Sequence, residues 1–193
     1  PQVMAVDEEG EVLYSSGRPL GAGHVTNDFA SGLRTSVENA EKIKLKYVSA
    51  NSTKISANEK VRIEELGEES VVSRRDLNKI AGARLEEILH MVKDELKKIS
   101  KSGMLPGGVV LTGGGAKMPG ITDLAKEILQ LPVVVGQPEG LSGIVDRIQD
   151  PAFAAPVGLM LENMAYGGTA DKTNVRLGQT VDKIKKTLRN LLP

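Results

Sequence analysis

The stretch VVLTGGGAKMPG, residues 109–120, decides the fold class of this chain. Its first three residues form a short apolar run without alternation, which is typical of a β-strand covered on both faces. Gly113, Gly114 and Gly115 then turn the chain, and glycines allow positive φ angles and the close approach of a flat ligand to the backbone. Residues 121–129 place apolar side chains on one helical face. The stretch therefore predicts a strand, a glycine-rich turn and a helix.

This strand–turn–helix unit allows two interpretations. The N-terminus of the helix offers free N–H groups and the positive end of the helix dipole, which suits an anionic or nucleotide ligand. The spacing is neither the G-x-x-x-x-G-K-[ST] of a P-loop nor the G-x-G-x-x-G of a dinucleotide-binding turn. On the motif alone, a tight turn without any ligand is an equal alternative.

Strand and helix patterns continue on both sides of the glycines and predict an α/β protein with a mixed sheet. Thr35 and Glu38 fit a capping box at the second helix, and Pro156 is expected to kink or shorten the last one. The predicted elements are two strands within residues 3–16, helices over 26–34 and from Ser36 to about Lys46, strands near 54–55, 60–63 and 70–72, a helix beginning at Ser73 and Asp76, the unit described above, a strand over 132–135 and a helix from Asp150 toward Ala165.

The composition excludes several classes of function. Among 193 residues, Lys and Arg number 25 and Asp and Glu number 25, so the excess positive charge of a nucleic-acid-coating protein is absent. The absence of cysteine excludes disulfides, thiolate nucleophiles and cysteine-ligated metals. His24 and His90 form no metal-ligand pair; His24 is predicted to cap a turn and His90 to lie on the surface. No local pairing of a nucleophile with a base supports hydrolytic chemistry.

Glu41 and Lys44 are a second candidate for ligand binding. They lie three residues apart on a predicted helix and therefore share a face. That face could present one carboxylate and one ammonium group to ribose hydroxyls. The alternative is a solvated ion pair, which stabilises a helix by only about 0.3–0.5 kcal/mol, and the pattern alone favours it.

The sequence VDKIKKTLRNLLP, residues 181–193, predicts a short amphipathic helix after a polar linker over residues 169–180. Such a helix fits an interfacial membrane anchor, because its apolar face can enter the headgroup region while its lysines and arginines meet anionic lipid. A terminal helix packed on its own domain is the alternative. No apolar run approaches the ~20 residues of a membrane-spanning helix.

Several motifs share their order and spacing with one known family. They are GAGHVTND at 21–28, GLRT at 32–35, AEKIK at 40–44, the glycine-rich stretch at 109–120, PVVVG at 132–136 and DPAFA at 150–154. Together they resemble the FtsA family of bacterial cell-division proteins, which are actin-like ATPases. The resemblance covers the chain from residue 3 to about residue 168, and the order of several motifs makes it more specific than any single glycine turn.

The resemblance implies an actin-like, ribonuclease H-like α/β fold of which this chain is the second lobe. Subdomain 2A would comprise residues 1–27 and 84–168, with a mixed sheet flanked by helices, and subdomain 2B would be inserted as residues 28–83. The first lobe, and the second phosphate loop expected just before Val3, have no counterpart in the sequence. We therefore expect a piece of a longer protein, with a sheet edge exposed where its first strand is missing.

The same resemblance implies ATP with Mg²⁺ as the cofactor of the intact protein, which would be a weak ATPase. This chain would hold only the adenosine side and would not hydrolyse ATP, so no catalytic residue and no metal ligand are assigned. By resemblance, Gly113, Gly114 and Gly115 would lie against the adenosine, Lys117 and Met118 would flank the adenine, and Glu41 and Lys44 would contact the ribose.

Partners follow from the resemblance as well. Subdomain 2B would receive the C-terminal tail of the tubulin-like protein FtsZ, with Arg75 and Arg84 as candidate contacts. The protein would tether FtsZ filaments to the inner face of the cytoplasmic membrane at the septum, self-associate into actin-like filaments and recruit other divisome proteins. The residues facing the membrane would be Ile184, Leu188, Leu191 and Leu192. The alternatives are another actin-superfamily ATPase or sugar kinase, and a pilus-assembly relative with a different peptide partner.

Overall fold

The computed structural model describes residues 1–51, 56, 58–63, 66–67, 70–99, 105, 107–139 and 148–166. The chain divides into two compact units, Pro1–Val157 and Gly158–Pro193. The second unit contributes only the end of the final helix, up to Tyr166, to the described residues.

Within these ranges, the strands form three two-stranded sheets: β1–β2 and β3–β4 are antiparallel, and β5–β6 is parallel. The strands are β1 (Gln2–Val6), β2 (Val12–Gly17), β3 (Lys60–Arg62), β4 (Val71–Ser73), β5 (Val109–Leu111) and β6 (Val133–Val135). The predicted hairpin at the N-terminus is confirmed. The Asp7 carboxylate closes its turn by accepting the backbone N–H groups of Glu9 and Glu11.

The described helices connect and cover these strands. They are α1 (Ala22–Gly32), α2 (Val37–Tyr47), α3 (Arg74–Ile99), α4 (Ile121–Leu129) and α5 (Ala154–Tyr166). Single 3₁₀ turns, Gly114–Lys117 and Pro151–Phe153, precede α4 and α5. The Ser73 hydroxyl accepts the N–H of Asp76 at 3.4 Å, so the predicted start of α3 is confirmed.

The core is built around α3, a helix of 26 residues against which α1 and α4 pack. One face of α3 carries an apolar stripe: Leu85 and Leu89 are buried, and Val92 and Leu96 pack against the same cluster. Phe29 of α1 is fully buried in this cluster. Because burying one large apolar side chain is worth about 1.5–3 kcal/mol, the stripe accounts for much of the cohesion between these helices.

The start of α1 and the cap of α2 differ from the prediction. α1 begins at Ala22, earlier than predicted, because Nδ1 of His24 accepts the N–H of Gly21 and so caps the helix. The cap of α2 is Ser36, whose hydroxyl accepts the N–H of Asn39. Thr35 lies one residue before the cap, and its N–H donates to the carbonyl of Ala30 in α1. The expected role of His24 as a turn cap is confirmed, and His90 is exposed as predicted.

Two expectations about the later elements are wrong. Pro156 does not shorten α5, because it lies in the first turn, where backbone N–H groups have no partner within the helix. β5 and β6 are not covered on both faces: Val110 is 62% exposed and Val134 is 58% exposed. In the part of the chain that the structure describes, these neighbouring side chains share a face that no helix covers.

The predicted strand near residues 54–55 and the predicted helix and linker after residue 168 lie outside the described residues. The boundaries of subdomains 2A and 2B stay a prediction.

Candidate functional site

Three side chains form a hydrogen-bonded cluster between α1 and α2. Lys44 Nζ donates to Glu41 Oε2 at 2.7 Å and to Thr26 Oγ1 at 2.9 Å, and the Thr26 hydroxyl donates to the same carboxylate oxygen at 2.5 Å. Lys44 and Thr26 are buried, whereas the Glu41 side chain is 42% exposed. The simple alternative of a solvated ion pair is therefore wrong for Lys44, because its ammonium is enclosed by protein acceptors.

The Glu41 carboxylate stays ionised in this cluster. Partial burial raises its pKa, but the hydrogen bonds from Lys44 and Thr26 and the charge of Lys44 lower it by more, so the pKa lies below its usual value. The bonds from Lys44 and Thr26 both end on Oε2, and Oε1 makes no hydrogen bond with the described residues. Glu41 therefore offers one charged acceptor atom to solvent.

The first turn of α1 brings this cluster and the glycine turn together. Lys44 Nζ lies 3.4 Å from the carbonyl oxygen of Ala22. On the other side, a Cβ added to Gly115 would lie 3.2 Å from the Cβ of Ala22. The two sequence motifs, which are about 70 residues apart in the chain, thus meet at one residue of α1.

A second contact joins the end of α2 to the end of the glycine turn. The carbonyl oxygen of Pro119 accepts the Ala50 N–H at 2.8 Å and the Ser49 hydroxyl at 3.0 Å. We call this pair of hydrogen bonds the Pro119 junction. It lies just beyond α2, the helix that carries Glu41 and Lys44.

A groove of about 530 Å³ opens between the starts of α1 and α2, a size within the usual range of small-molecule sites. Its walls include His24 and Asn27 of α1 and Val37 and Glu41 of α2. The glycine turn does not line it and reaches α1 at Ala22 instead. The surface of this groove is mostly apolar, and the carboxylates of Glu38 and Glu41 lie along its α2 wall.

The glycine turn itself presents backbone rather than side chains. Gly113 has φ +86, a conformation that favours glycine, and its N–H donates to the carbonyl of Pro151 at 2.9 Å. No described atom lies within 4 Å of a Cβ added at Gly114, so the described part of the chain leaves open space in front of the turn.

Lys117 and Met118, expected to flank an adenine, have different surroundings. Lys117 forms a salt bridge with Asp150, and this hydrogen bond holds the pKa of Asp150 below its usual value. Asp150 also accepts the N–H of Ala152 and so caps the 3₁₀ turn before α5. Met118 packs against the main core cluster. The ammonium group of Lys117 is thus paired with Asp150 at the edge of the glycine turn.

The two arginines expected to contact a partner also differ. Arg84 donates two hydrogen bonds to Asp28, at 2.7 and 2.9 Å, which lowers the pKa of Asp28 and raises that of the guanidinium. This pair joins α3 to α1, and a third bond from Arg84 reaches Glu87. Arg75 is exposed and has no side-chain hydrogen bond or ion pair to any residue that the structure describes. Of the two, only Arg75 is available for a partner.

Two polar residues escaped sequence reasoning. Thr26 bridges Glu41 and Lys44, and no local pattern in the sequence marks it for that role. Glu95, only 1% exposed, accepts a hydrogen bond from Tyr14 at 2.5 Å, one from Lys98 at 2.9 Å and a salt bridge from Arg18. The Tyr14 bond and then the two cations hold the pKa of Glu95 well below its usual value.

The predicted membrane residues Ile184, Leu188, Leu191 and Leu192 lie outside the described residues. None of the helices in the described ranges is long and apolar enough to cross a bilayer. Nor do three or more metal-ligating side chains gather anywhere in those ranges.

Comparison with known proteins decides the family. A family model described as "Cell division protein FtsA" matches residues 3–158. The chain belongs to the FtsA family. FtsA of Pseudomonas aeruginosa is 33% identical over 160 residues, and FtsA of Bacillus subtilis is 35% identical over 159 residues. The resemblance predicted from the sequence is therefore confirmed, and the kinase and pilus-assembly alternatives are wrong.

The alignments with FtsA relatives cover most of this chain but less than half of each relative. They include 82% of this chain and 38% of the Pseudomonas protein, and 81% of this chain and 35% of the Bacillus protein. With FtsA of Borreliella burgdorferi, 34% identical, the shares are 92% and 43%. The chain thus spans well under half the length of these relatives.

Solved structures confirm the actin-like fold. MreB5 of Spiroplasma citri bound to ADP superposes with a TM-score of 0.60 at 16% identity, over 81% of this chain and 48% of that one. The ethanolamine utilization protein EutJ of Carboxydothermus hydrogenoformans gives 0.53 at 20% identity, over 83% and 44%. These partial matches agree with an actin-like α/β fold represented in part, as predicted.

Proposed function

We propose that this FtsA-family chain carries the adenosine side of an ATP site. The observation that supports the proposal most directly is the convergence on Ala22 of Lys44, at 3.4 Å, and of Gly115, at 3.2 Å from an added Cβ. A nucleoside between these elements would meet a carboxylate for its ribose on one side and bare backbone for its flat base on the other. The ADP in the related MreB5 structure is consistent with this assignment.

The polar cluster fits a ribose. Glu41 offers a free, ionised Oε1 that can accept a ribose hydroxyl, and Lys44 fixes the other oxygen of the same carboxylate. In the proposed complex Lys44 therefore sets the orientation of Glu41 rather than meeting the ligand alone. Gly113 and Gly114 leave space for a purine among the described residues, whereas Gly115 packs against Ala22.

The same residues do not account for Mg²⁺. Magnesium sites usually combine one or two protein carboxylates with phosphate oxygens and water. The Glu41 carboxylate is engaged with Thr26 and Lys44, and within the described ranges it belongs to no group of three or more metal-ligating side chains. No role for the metal is assigned to this chain, which would bind nucleoside without hydrolysing ATP.

Titration with adenosine and with ADP, followed by ligand-detected NMR, tests the site. Gly114→Val should weaken adenosine binding about tenfold or more, because its side chain would enter the open space in front of the turn without a clash in the free protein. Glu41→Gln should weaken it as well, through loss of the charged acceptor. Gly17→Val is the matched control, because a Cβ at Gly17 also meets no described atom within 4 Å and Gly17 lies at the end of β2. Wild-type affinity in both site variants would refute the assignment.

We also propose that the chain takes part in joining FtsZ filaments to the membrane and in recruiting divisome proteins. Membership of a cell-division family supports this, as does the predicted amphipathic helix of residues 181–193. Self-association into actin-like filaments belongs to the same proposal. It places the protein at the inner face of the cytoplasmic membrane, as a peripheral protein.

A fluorescence-anisotropy titration with a labelled FtsZ C-terminal peptide tests the partner. Saturable binding of this peptide, and not of a scrambled one, is expected, and Arg75→Ala should weaken it because Arg75 is the exposed arginine of the predicted pair. Lys79→Ala is the control. It removes the same positive charge from the same face of α3, but Lys79 is already paired with Asp76. No binding by a chain shown to be folded would contradict the proposal.

A further inference from the structure

We infer that Gly120 and Ser49 are positioning residues for the nucleoside site, because they maintain the Pro119 junction that fixes α2 against the glycine turn. The inference rests on the proposed function and adds to it. Neither residue touches the groove, but each lies at the end of an element that does carry the site. The junction therefore sets the distance between the two halves of the site before any ligand arrives.

Gly120 is the residue that allows this contact. A Cβ at this position would lie 3.0 Å from the Cβ of Asn51 and 3.1 Å from its backbone nitrogen, distances so tight that the neighbouring segment would have to move by a few tenths of an ångström. Gly120 also has φ +79, which L-residues rarely adopt. Any side chain here would push the segment after α2 away from the carbonyl of Pro119.

Ser49 supplies the second half of the junction. Its hydroxyl donates to the Pro119 carbonyl at 3.0 Å and accepts the N–H of Asn51 at 3.3 Å. The neighbouring Ala50 is 4% exposed, so its N–H bond to Pro119 is shielded from water. A hydrogen bond in such surroundings is costly to break, because its groups would remain without a partner.

α3 holds the same segment from behind. The fully buried Asn78 accepts the N–H of Ser49 at 2.5 Å and donates to the carbonyl of Arg74 at 2.6 Å. The end of α2 is thus fixed between α3 and the glycine turn. With both ends of the connection immobilised, Glu41 and Lys44 cannot move away from the turn without breaking these bonds, so the site is preformed.

Hydrogen–deuterium exchange of the Ala50 amide and adenosine affinity, measured on the whole chain, test the inference together. Gly120→Ala should speed exchange at Ala50 in the free protein and weaken adenosine binding roughly fivefold to tenfold, the effect of about one hydrogen bond. The matched control is Gly10→Ala, because Gly10 has φ +87 and a Cβ added there meets no described atom within 4 Å. It shares the backbone strain, so its thermal stability should also fall, but Ala50 exchange and adenosine affinity should not change.

Each outcome supports or overturns the positioning role of Gly120 and Ser49. Unchanged Ala50 exchange in Gly120→Ala, or an equal loss of affinity in Gly10→Ala, would overturn the positioning role. If Gly120→Ala does not fold, Ser49→Ala takes its place and should show the same two effects in smaller measure; wild-type behaviour there would also overturn the role. No adenosine binding by the wild-type chain with Ala50 protected would refute the proposed function and this inference with it. Binding by wild type that persists unchanged in Gly120→Ala would refute this inference alone.

Discussion

Replacing Lys44 with methionine isolates the charge in the contact between α1 and α2, because methionine keeps much of the length of the side chain and removes its ammonium group. Three acceptors lose a donor: Glu41 at 2.7 Å, Thr26 at 2.9 Å and the carbonyl of Ala22 at 3.4 Å. The last contact is long and contributes least. The variant thus tests how much the buried cation stabilises the site.

The size of the effect follows from what each acceptor retains. A hydrogen bond to a charged group contributes about 1.5–3 kcal/mol, but Glu41 is 42% exposed and can turn to water, while Thr26 still donates to it. We therefore expect Lys44→Met to lower the free energy of unfolding by about 1–2 kcal/mol. For a chain of this size that corresponds to a fall in Tm of roughly 2–8 °C. The pKa of Glu41 should rise, because burial persists and two lowering influences are lost.

Thermal unfolding followed by circular dichroism gives the stability, and ¹³C NMR of the Glu41 carboxyl gives its pKa. The ionised Glu41 stabilises the fold above the pKa of an unfolded glutamate, and this contribution disappears as pH falls through its lower folded pKa. As pH is lowered, the free energy of unfolding should therefore fall less steeply in the variant than in the wild type. Lys42→Met on the exposed side of α2 is the control and should change stability by less than about 0.5 kcal/mol. A wild-type Tm together with an unmoved Glu41 titration would refute the reasoning.

Two further predictions concern other parts of the chain. Glu95→Gln should lower Tm at neutral pH, and the difference from wild type should shrink in acid, because a carboxylate with a lowered folded pKa stabilises above its unfolded pKa and loses that effect as pH falls; a difference that stays constant with pH would contradict this. Ile184→Asp combined with Leu188→Asp should abolish co-sedimentation with anionic liposomes if residues 181–193 bind lipid through their apolar face. Sedimentation unaffected by both changes would remove the anchor.

Local signals predicted the elements whose stabilising contacts are local. The hairpin of residues 2–17 was visible because its turn and its alternation lie within a few residues of each other. The start of α3 was visible because Ser73 caps its own helix. The glycine turn was predictable for the same reason, because the conformational freedom of glycine is a property of the residue itself.

Contacts between distant residues were not predictable from the same signals. Glu95 stands at a helical position between Val92 and Ile99, which was a hint of burial, but its partners Tyr14 and Arg18 lie 81 and 77 residues away. The Pro119 junction joins segments 70 residues apart, and no pattern in either segment predicts that the two are in contact. Glu41 and Lys44 were found as a pair from their spacing, whereas their enclosure by Thr26 depends on how α1 crosses α2.

The long α3 also determines when the first part of the chain can reach its stable form. Asn78, Arg84 and Glu95 bind partners 29, 56 and 81 residues earlier in the sequence. At ribosomal rates of 5–20 residues per second, Tyr14 therefore waits roughly 4 to 16 s for its partner to be synthesised. During that interval the N-terminal hairpin has neither its carboxylate nor the helix that covers it. Codons that slow translation between β2 and α3 would lengthen this vulnerable period, and chaperone dependence during synthesis would rise with it.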